Sequence, residues 1–274
     1  MSCRVLKLAR APYYRWLREP VGPAGRLRGE RIAALRQAHE DDAEFGYRLL
    51  ADEARQVGFP MADRTAWRLC QQSGIMSAIV KTRKRKGKKP GPPVCDDLVK
   101  RNFTAASPDL LWLVDITEHG TKEGKLYLCA IKDASSRRIV GYSLSDRMKA
   151  RLAVDALNNA VARRGNVSGC IVHSDRGSQF RSRKFITALK YHGLVGSMGR
   201  VGAAGDNAAM ESFFALLQKN VLNRRSWATR EELRSAIVWW IERTYHRKRR
   251  QAALGRLTPI EFETMMATPA AVAA

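Results

Sequence analysis

Leu110-Leu111-Trp112-Leu113-Val114-Asp115-Ile116-Thr117, LLWLVDIT, is a near-continuous apolar run of strand length broken by one acid. A run without alternation is what a strand buried on both faces requires. Inside such a strand an unpaired carboxylate costs several kcal/mol or is driven neutral, so Asp115 needs something that compensates its charge.

Downstream, Lys125–Ile131 and Arg138–Leu144 follow at short spacing, each ended by turn-forming residues, and predict an antiparallel set of three strands. In Lys149–Arg163 the apolar positions Leu152, Ala153, Ala156, Leu157, Ala160 and Val161 fall on one helical face. Cys170–His173 makes a fourth strand, residues 183–192 a helix, and Leu194–Met198 a fifth strand. A helix then runs through DNAAMESFFALLQKN, which Asp206 can cap. The order predicts an α/β domain with a mixed five-stranded sheet flanked by helices.

Two further acids sit at element ends or edges. Asp175 ends the fourth strand and opens the Gly-containing turn of HSDRGSQF (His173–Phe180). Glu211 lies roughly 110° from the centre of the apolar cluster Met210, Phe213, Phe214, Leu217 and Val221 at ~100° per residue, so it borders the core without entering it. Alone, Asp115 could pair with a lysine, Asp175 could cap a turn, and Glu211 could be a surface residue. Together they are the hard oxygen ligands that two Mg²⁺ (or Mn²⁺) ions need, about 3.5–4 Å apart, one activating an attacking oxygen and the other stabilising a leaving oxygen.

Charge points to the substrate. The 274 residues hold 49 Lys and Arg against 26 Asp and Glu, a formal net charge of +23. The isoelectric point is near 10.5. A 45% hydrophobic content supplies a core and excludes disorder throughout. Double-stranded DNA is the leading partner, because each neutralised phosphate releases a counterion. A membrane is not expected: no run approaches the ~18 apolar residues of a span, and Met1-Ser2-Cys3-Arg4 opens no signal peptide, which predicts a cytoplasmic protein. Cys3, Cys70, Cys95, Cys129 and Cys170 lie far apart without a C-x-x-C pair and read as reduced fillers.

Residues 1–80 read as a small all-helical region. An amphipathic stretch at Glu30–Glu40 precedes Tyr47–Val57, closed by Gly58; Asp63 can cap Arg64–Ser73, which Gly74 ends. The last two have helix-turn-helix spacing over about 40–76, with Arg48, Arg55, Arg64 and Arg68 as candidate phosphate contacts. Residues 81–105 begin with KTRKRKGKKPGPP and read as a basic linker; Lys84, Arg85 and Lys86 either touch phosphate or form a solvated charge run. Residues 106–225 form the core domain and 226–274 a helical basic extension. There Thr229 with Glu232, and Thr258 with Glu261, are capping boxes, and Arg247, Lys248 and Arg249 are candidate DNA contacts.

WLVDIT (Trp112–Thr117), HSDRGSQF and DNAAMESFF (Asp206–Phe214), with 35 residues between Asp175 and Glu211, resemble the three catalytic blocks of the insertion-sequence transposases of the family numbered three. FGYRLL (Phe45–Leu50) and Tyr245–Phe262 are similar to that family's terminal regions, so the likeness spans roughly residues 40–265. The resemblance implies a ribonuclease H-like core shared with retroviral integrases, catalytic and metal-binding roles for Asp115, Asp175 and Glu211, and action as an oligomer on DNA through a circular intermediate. It also implies an upstream reading-frame partner (OrfA-like), supplied separately or by fusion. Where relatives usually carry Lys, this chain has Gln218, which can hydrogen-bond but carries no charge; Lys219 stands beside it. His173 either contacts DNA or supports the strand end, and Gln179 and Asn207 are candidates for orienting the acids. A nuclease that cuts without joining, and a DNA-binding regulator with an idle site, are the competing readings.

Overall fold

The computed structural model describes residues 9–77, 92–199 and 208–267. Lys84, Arg85, Lys86, Asp206, Asn207 and Cys3 lie outside them. The chain divides into two compact units, Met1–Lys81 and Thr82–Ala274.

In the second unit β1 (Leu111–Thr121), β2 (Gly124–Asp133) and β3 (Ile139–Ser145) pair antiparallel, while β1 also pairs in parallel with β4 (Ile171–Ser174), and β4 with β5 (Val195–Met198). The order across the sheet is β3-β2-β1-β4-β5. This mixed sheet with helices on both faces is a ribonuclease H-like fold. Its central strand is the one whose sequence is apolar on both faces: Leu111 and Leu113 enter one core, Trp112 and Val114 the other. β1 runs four residues past the expected Thr117, because polar residues at its tip still pair across the hairpin, out to Thr121 opposite Gly124.

One face is covered by α5 (Ala150–Arg164) and α6 (Arg183–Tyr191), through Leu152, Ala156, Leu157, Phe185 and Leu189. Contact with the sheet is closest at Gly141 of β3, where a Cβ would stand 2.5 Å from both the Ala156 oxygen and the Ala160 Cβ. The other face receives α7 (Ala208–Leu217) and α8 (Arg230–Trp239). Both continue into a wider π-helical turn, Gln218–Leu222 and Trp240–Tyr245, that sequence periodicity did not foresee. Phe213 meets Tyr245 edge-on with centroids 5.1 Å apart, and Trp240 lies 5.5 Å from Tyr245, so an aromatic cluster fixes α7 against the end of α8.

Both capping boxes form around their Thr hydroxyls. Thr229 Oγ1 accepts from the Glu232 N–H at 3.1 Å, and Thr258 Oγ1 from the Glu261 N–H at 3.3 Å; Glu261 reaches back to the Thr258 N–H at 2.8 Å. The second box starts α9 (Pro259–Ala267). Glu263 of α9 is held by Arg138 at 2.6 Å and Arg164 at 2.8 Å.

The end of the expected linker is not free chain. Val99 is buried in the α7-side core with Phe103 packed on it, and Leu98 N–H donates to Ser197 Oγ at 3.0 Å, so this segment lies along β5. It shields part of the sheet edge that would otherwise expose unpaired backbone groups.

In the first unit α1 (Arg10–Arg18) precedes α2 (Pro23–Asp41), α3 (Tyr47–Gln56) and α4 (Asp63–Gln72), and these last three surround Leu35, Phe45, Leu50, Ala54, Ala66 and Leu69. α1 was not anticipated, and α2 starts seven residues before Glu30. Asp63 does not cap α4: Ala62 holds that position, and Asp63 sits in the first turn, where its charge still suits the helix dipole. Gly58 and Gly74 follow their helices with φ of +92° and +67°, the left-handed geometry glycine allows cheaply.

Candidate active site

The last register pair of the β1–β4 ladder is Val114 opposite Ser174, so Asp115 and Asp175 are the next residues on neighbouring parallel strands. Such strands lie ~4.8 Å apart. Alternation turns Asp115 toward the face of Leu111 and Leu113, where α7 packs on β1 through Met210, Phe213 and Leu217. Glu211 stands in the first turn of that helix, exposed, between the buried Met210 and Phe213.

Electrostatics link the three. The half-buried Asp115 carboxyl is pushed up to about 7, chiefly by burial and next by the negative charge of Asp175; Glu211 adds to the rise, while the Ile116 N–H, 2.7 Å from Oδ1, opposes it. Among the described residues no positive charge figures in that balance. Asp175 is fixed by the Gly177 N–H, which donates to its Oδ1 at 2.8 Å. As the side chains stand, no three His, Cys, Asp or Glu among the described residues are drawn together to coordinating distance. The three acids interact through charge.

Around them, His173 is buried, with Nδ1 3.0 Å from Ser197 Oγ and its ring edge-on to Phe103. Gln179 donates to the Met148 carbonyl at 3.3 Å, while its Oε1 and Asp175 Oδ1 both crowd Gly177, 3.3 and 2.9 Å from where a Cβ would be. Gln218 opens the π-helical turn and donates to Asn223 Oδ1 at 2.5 Å; the half-buried Lys219 follows it in that wider turn, which no longer keeps the ideal rotation of ~100° per residue.

The other expected DNA contacts separate. Arg64 and Arg68 are exposed on α4, as are Arg247 and Lys248 beyond α8. Arg48 faces Asp63 at 3.8 Å and Arg55 pairs with Asp52 at 2.8 Å, so both have acidic neighbours to leave before meeting phosphate. The Arg249 guanidinium is drawn inward, and burial lowers its pKa to about 10. Sequence reasoning overlooked Trp67, which is 49% exposed between Arg64 and Arg68 while Ala66, Leu69 and Cys70 of the same helix are buried. It also overlooked Lys132, buried on β2, because a lone lysine in a sequence reads as surface.

The thiols of Cys70, Cys95, Cys129 and Cys170 are free, and burial raises the pKa of each, which makes them inert fillers. No helix among the described residues is long and apolar enough to cross a membrane.

Comparison with known proteins agrees with this geometry. Residues 105–204 and 192–259 match two families, each described as an integrase core domain. The chain is 35% identical over 268 residues to the transposase InsF for insertion sequence IS3A of Escherichia coli strain K12, covering 95% of this chain and 92% of that one. It is 39% identical over 167 residues to the transposase for insertion sequence element IS904 of Lactococcus lactis, covering 61% and 66%. Among solved structures, a chain of the simian T-cell lymphotropic virus intasome bound to PP2A regulatory subunit B56 gamma has a TM-score of 0.50 at 16% identity, over 81% of this chain and 72% of that one, a likeness of fold. With an integrase core and 35% identity over nearly the whole of both chains, the protein belongs to the IS3 family of insertion-sequence transposases, DNA transposases of the polynucleotidyl-transferase type.

Proposed function

We propose that this transposase cuts and joins DNA by metal-dependent phosphoryl transfer at Asp115, Asp175 and Glu211. The observation that carries the reading is the side-by-side emergence of Asp115 and Asp175 from adjacent parallel strands, with Glu211 within electrostatic reach. Asp115, held up near 7 by burial and by its two acidic neighbours with no cation in that balance, forms with them an oxygen donor set that a divalent cation would stabilise. Two Mg²⁺ or Mn²⁺ ions bound there supply activation of the attacking oxygen and stabilisation of the leaving one.

The chain's own residues do the rest. The strands hold Asp115 and Asp175 at fixed spacing, and α7 brings Glu211 beside them to help orient the nucleophile. In the first step a water oxygen bonds to phosphorus and gives up a proton to solvent as the bond to the 3′-oxygen breaks, and that 3′-oxygen takes up a proton. In the second the freed 3′-hydroxyl oxygen bonds to phosphorus of another phosphodiester as its proton leaves to solvent, and that phosphodiester's own 3′-oxygen departs and is protonated in turn. Both are in-line displacements.

DNA is held by a dispersed basic surface. Arg64 and Arg68 flank Trp67 on one face of α4, at the i, i+3 and i+4 positions that share a side of a helix. This suits residues 1–80 to binding the element's ends, with Lys84, Arg85, Lys86, Arg247 and Lys248 gripping backbone phosphate and Gln218 and Lys219 close to the reacting strand. Copies of the chain assemble on DNA in the cytoplasm, with an upstream reading-frame protein as partner or fusion. Strand joining by Asp115→Asn in Mg²⁺ is expected to fall by more than about a hundredfold, beyond the loss of a group that only orients a ligand. Wild-type joining by that variant overturns the assignment, and cutting without joining by the wild type reduces the reading to a nuclease.

A further inference from the structure

A cleft of about 620 Å³ opens between the tip of the β1–β2 hairpin and the turn that follows the Glu211 helix, lined by His119, Lys122, Asn223, Arg225, Ser226 and Trp227. It lies on the same face of β1 as Asp115. Opposite Asp115, Thr117 and His119 in the β1–β2 register stand Ala130, Leu128 and Leu126, all members of the α7-side core. Four residues of strand separate Asp115 from His119, about 13 Å. The other wall begins where the π-helical turn that continues α7 ends, at Leu222, which lines the cleft.

The lining has the chemistry of an anion site. Lys122 is exposed at the hairpin tip, and its ammonium forms no ion pair among the described residues. Its backbone is pinned, with the N–H donating to the Trp227 carbonyl at 3.0 Å. The Arg225 guanidinium stacks over the Trp227 ring at 4.5 Å and bonds Glu232 at 2.8 Å, so its plane is already oriented, and the Trp227 indole donates to the Leu222 carbonyl at 3.0 Å. Asn223 is held by Gln218, which ties the cleft to the helix of Glu211. Burial lowers the pKa of His119, which also lines the cleft.

We propose that this cleft takes the DNA backbone that flanks the reacting phosphodiester, with Lys122 and Arg225 contacting a phosphate about 13–23 Å from Asp115, the reach of strand from His119 to Lys122, or about four to seven stacked nucleotides at ~3.4 Å rise. The proposal rests on Asp115 marking the reaction centre. It goes further by giving the DNA a path along β1 and a length beyond which flank no longer matters.

The test measures binding without divalent metal, so that no chemistry occurs, by fluorescence anisotropy of the full chain on duplexes carrying the terminal repeat of its own element. One duplex keeps its flanking DNA and one is trimmed at the terminal nucleotide. Lys122→Gln is expected to weaken binding to the flanked duplex about threefold to fivefold, the size of an exposed charge contact, and to leave the trimmed duplex unchanged. The salt slope on the flanked duplex is expected to fall by about one phosphate. Lys184→Gln, an equal charge loss on the exposed surface of α6, serves as the control and is expected to treat the two duplexes alike. Equal weakening of both duplexes by Lys122→Gln, or none, overturns the cleft. Failure of the Asp115 assignment appears separately, in joining activity, and leaves this binding difference readable.

Discussion

The ammonium of Lys132 donates to the Ala209 carbonyl oxygen at 3.0 Å, two residues ahead of Glu211. Lys132 sits opposite Leu113 in the β1–β2 register, so its side chain rises from the face of the sheet that also carries Asp115. A buried lysine is costly, and burial followed by the nearby charge of Arg137 lowers its pKa to about 7. Its bond to the first turn of α7 ties the helix that carries Glu211 to the sheet that carries Asp115.

Lys132→Met is therefore expected to lower kcat for strand joining about tenfold while leaving KM for DNA within about twofold, since misplacing a reacting group costs rate and not ground-state binding. The stability of the variant carries a second signature. The folded pKa of about 7 lies below the ordinary 10.5, so wild-type Lys132 penalises the fold fully below pH 7, and the penalty fades as pH rises toward 10.5. The unfolding free energy of Lys132→Met relative to wild type is expected to shrink between pH 7 and 10 in denaturant titrations. An unchanged kcat or a pH-independent difference removes the positioning role.

Asp115 carries the opposite sign. Its folded pKa of about 7 lies above the ordinary 3.8, so the folded protein holds that proton more tightly than the unfolded chain, and the stabilisation is lost as pH rises through 7. In EDTA at about pH 8, Asp115→Asn is expected to be more stable than wild type by about 1–3 kcal/mol, after discounting the shift for solvent screening of a half-buried group. The gap narrows toward pH 5, and Mg²⁺ narrows it by stabilising the wild type alone. Equal urea midpoints at pH 8 would falsify the charge conflict.

Gly141 tests the packing that supports the sheet. A methyl group there would stand 2.5 Å from both the Ala156 oxygen and the Ala160 Cβ, so Gly141→Ala must push α5 off β3. A loss of about 1–3 kcal/mol is expected, as for overpacked cores generally, read as a lower urea midpoint with the slope unchanged. An unshifted midpoint means that α5 yields freely.

Much of the core was legible because its signals are local. The apolar run around Asp115, the alternation of the hairpin strands, the capping threonines and the glycines after α3 and α4 each depend on a few neighbouring residues. What escaped depends on distant ones. β1 continues to Thr121 only because Gly124 pairs back on it, and the wide turns after Leu217 and Trp239 follow where the aromatic cluster of Phe213, Trp240 and Tyr245 packs. α1 is short and rich in arginine, and α2 carries a weak apolar stripe that gives periodicity little to detect at its start. At the candidate site the sequence brings Asp115, Asp175 and Glu211 forward as candidates, but not the inward turn of Arg249 or the burial of Lys132, since a basic residue reads alike in either setting until its neighbours are known.

The parallel ladder between β1 and β4 has a consequence for how this enzyme tolerates change. Backbone bonds are made whatever the side chain, so apolar exchanges along Leu111–Val114 or Ile171–Ser174 leave the gap between Asp115 and Asp175 intact, and only a one-residue slip would turn one acid from the other. Glu211 has no ladder behind it; its place depends on how Met210, Phe213 and Leu217 fill the space over the sheet. On the proposed assignment, sequence drift in that wedge will therefore reach the chemistry sooner than equal drift in the strands, and the third acid is the member of the trio through which the rest of the fold can tune the reaction.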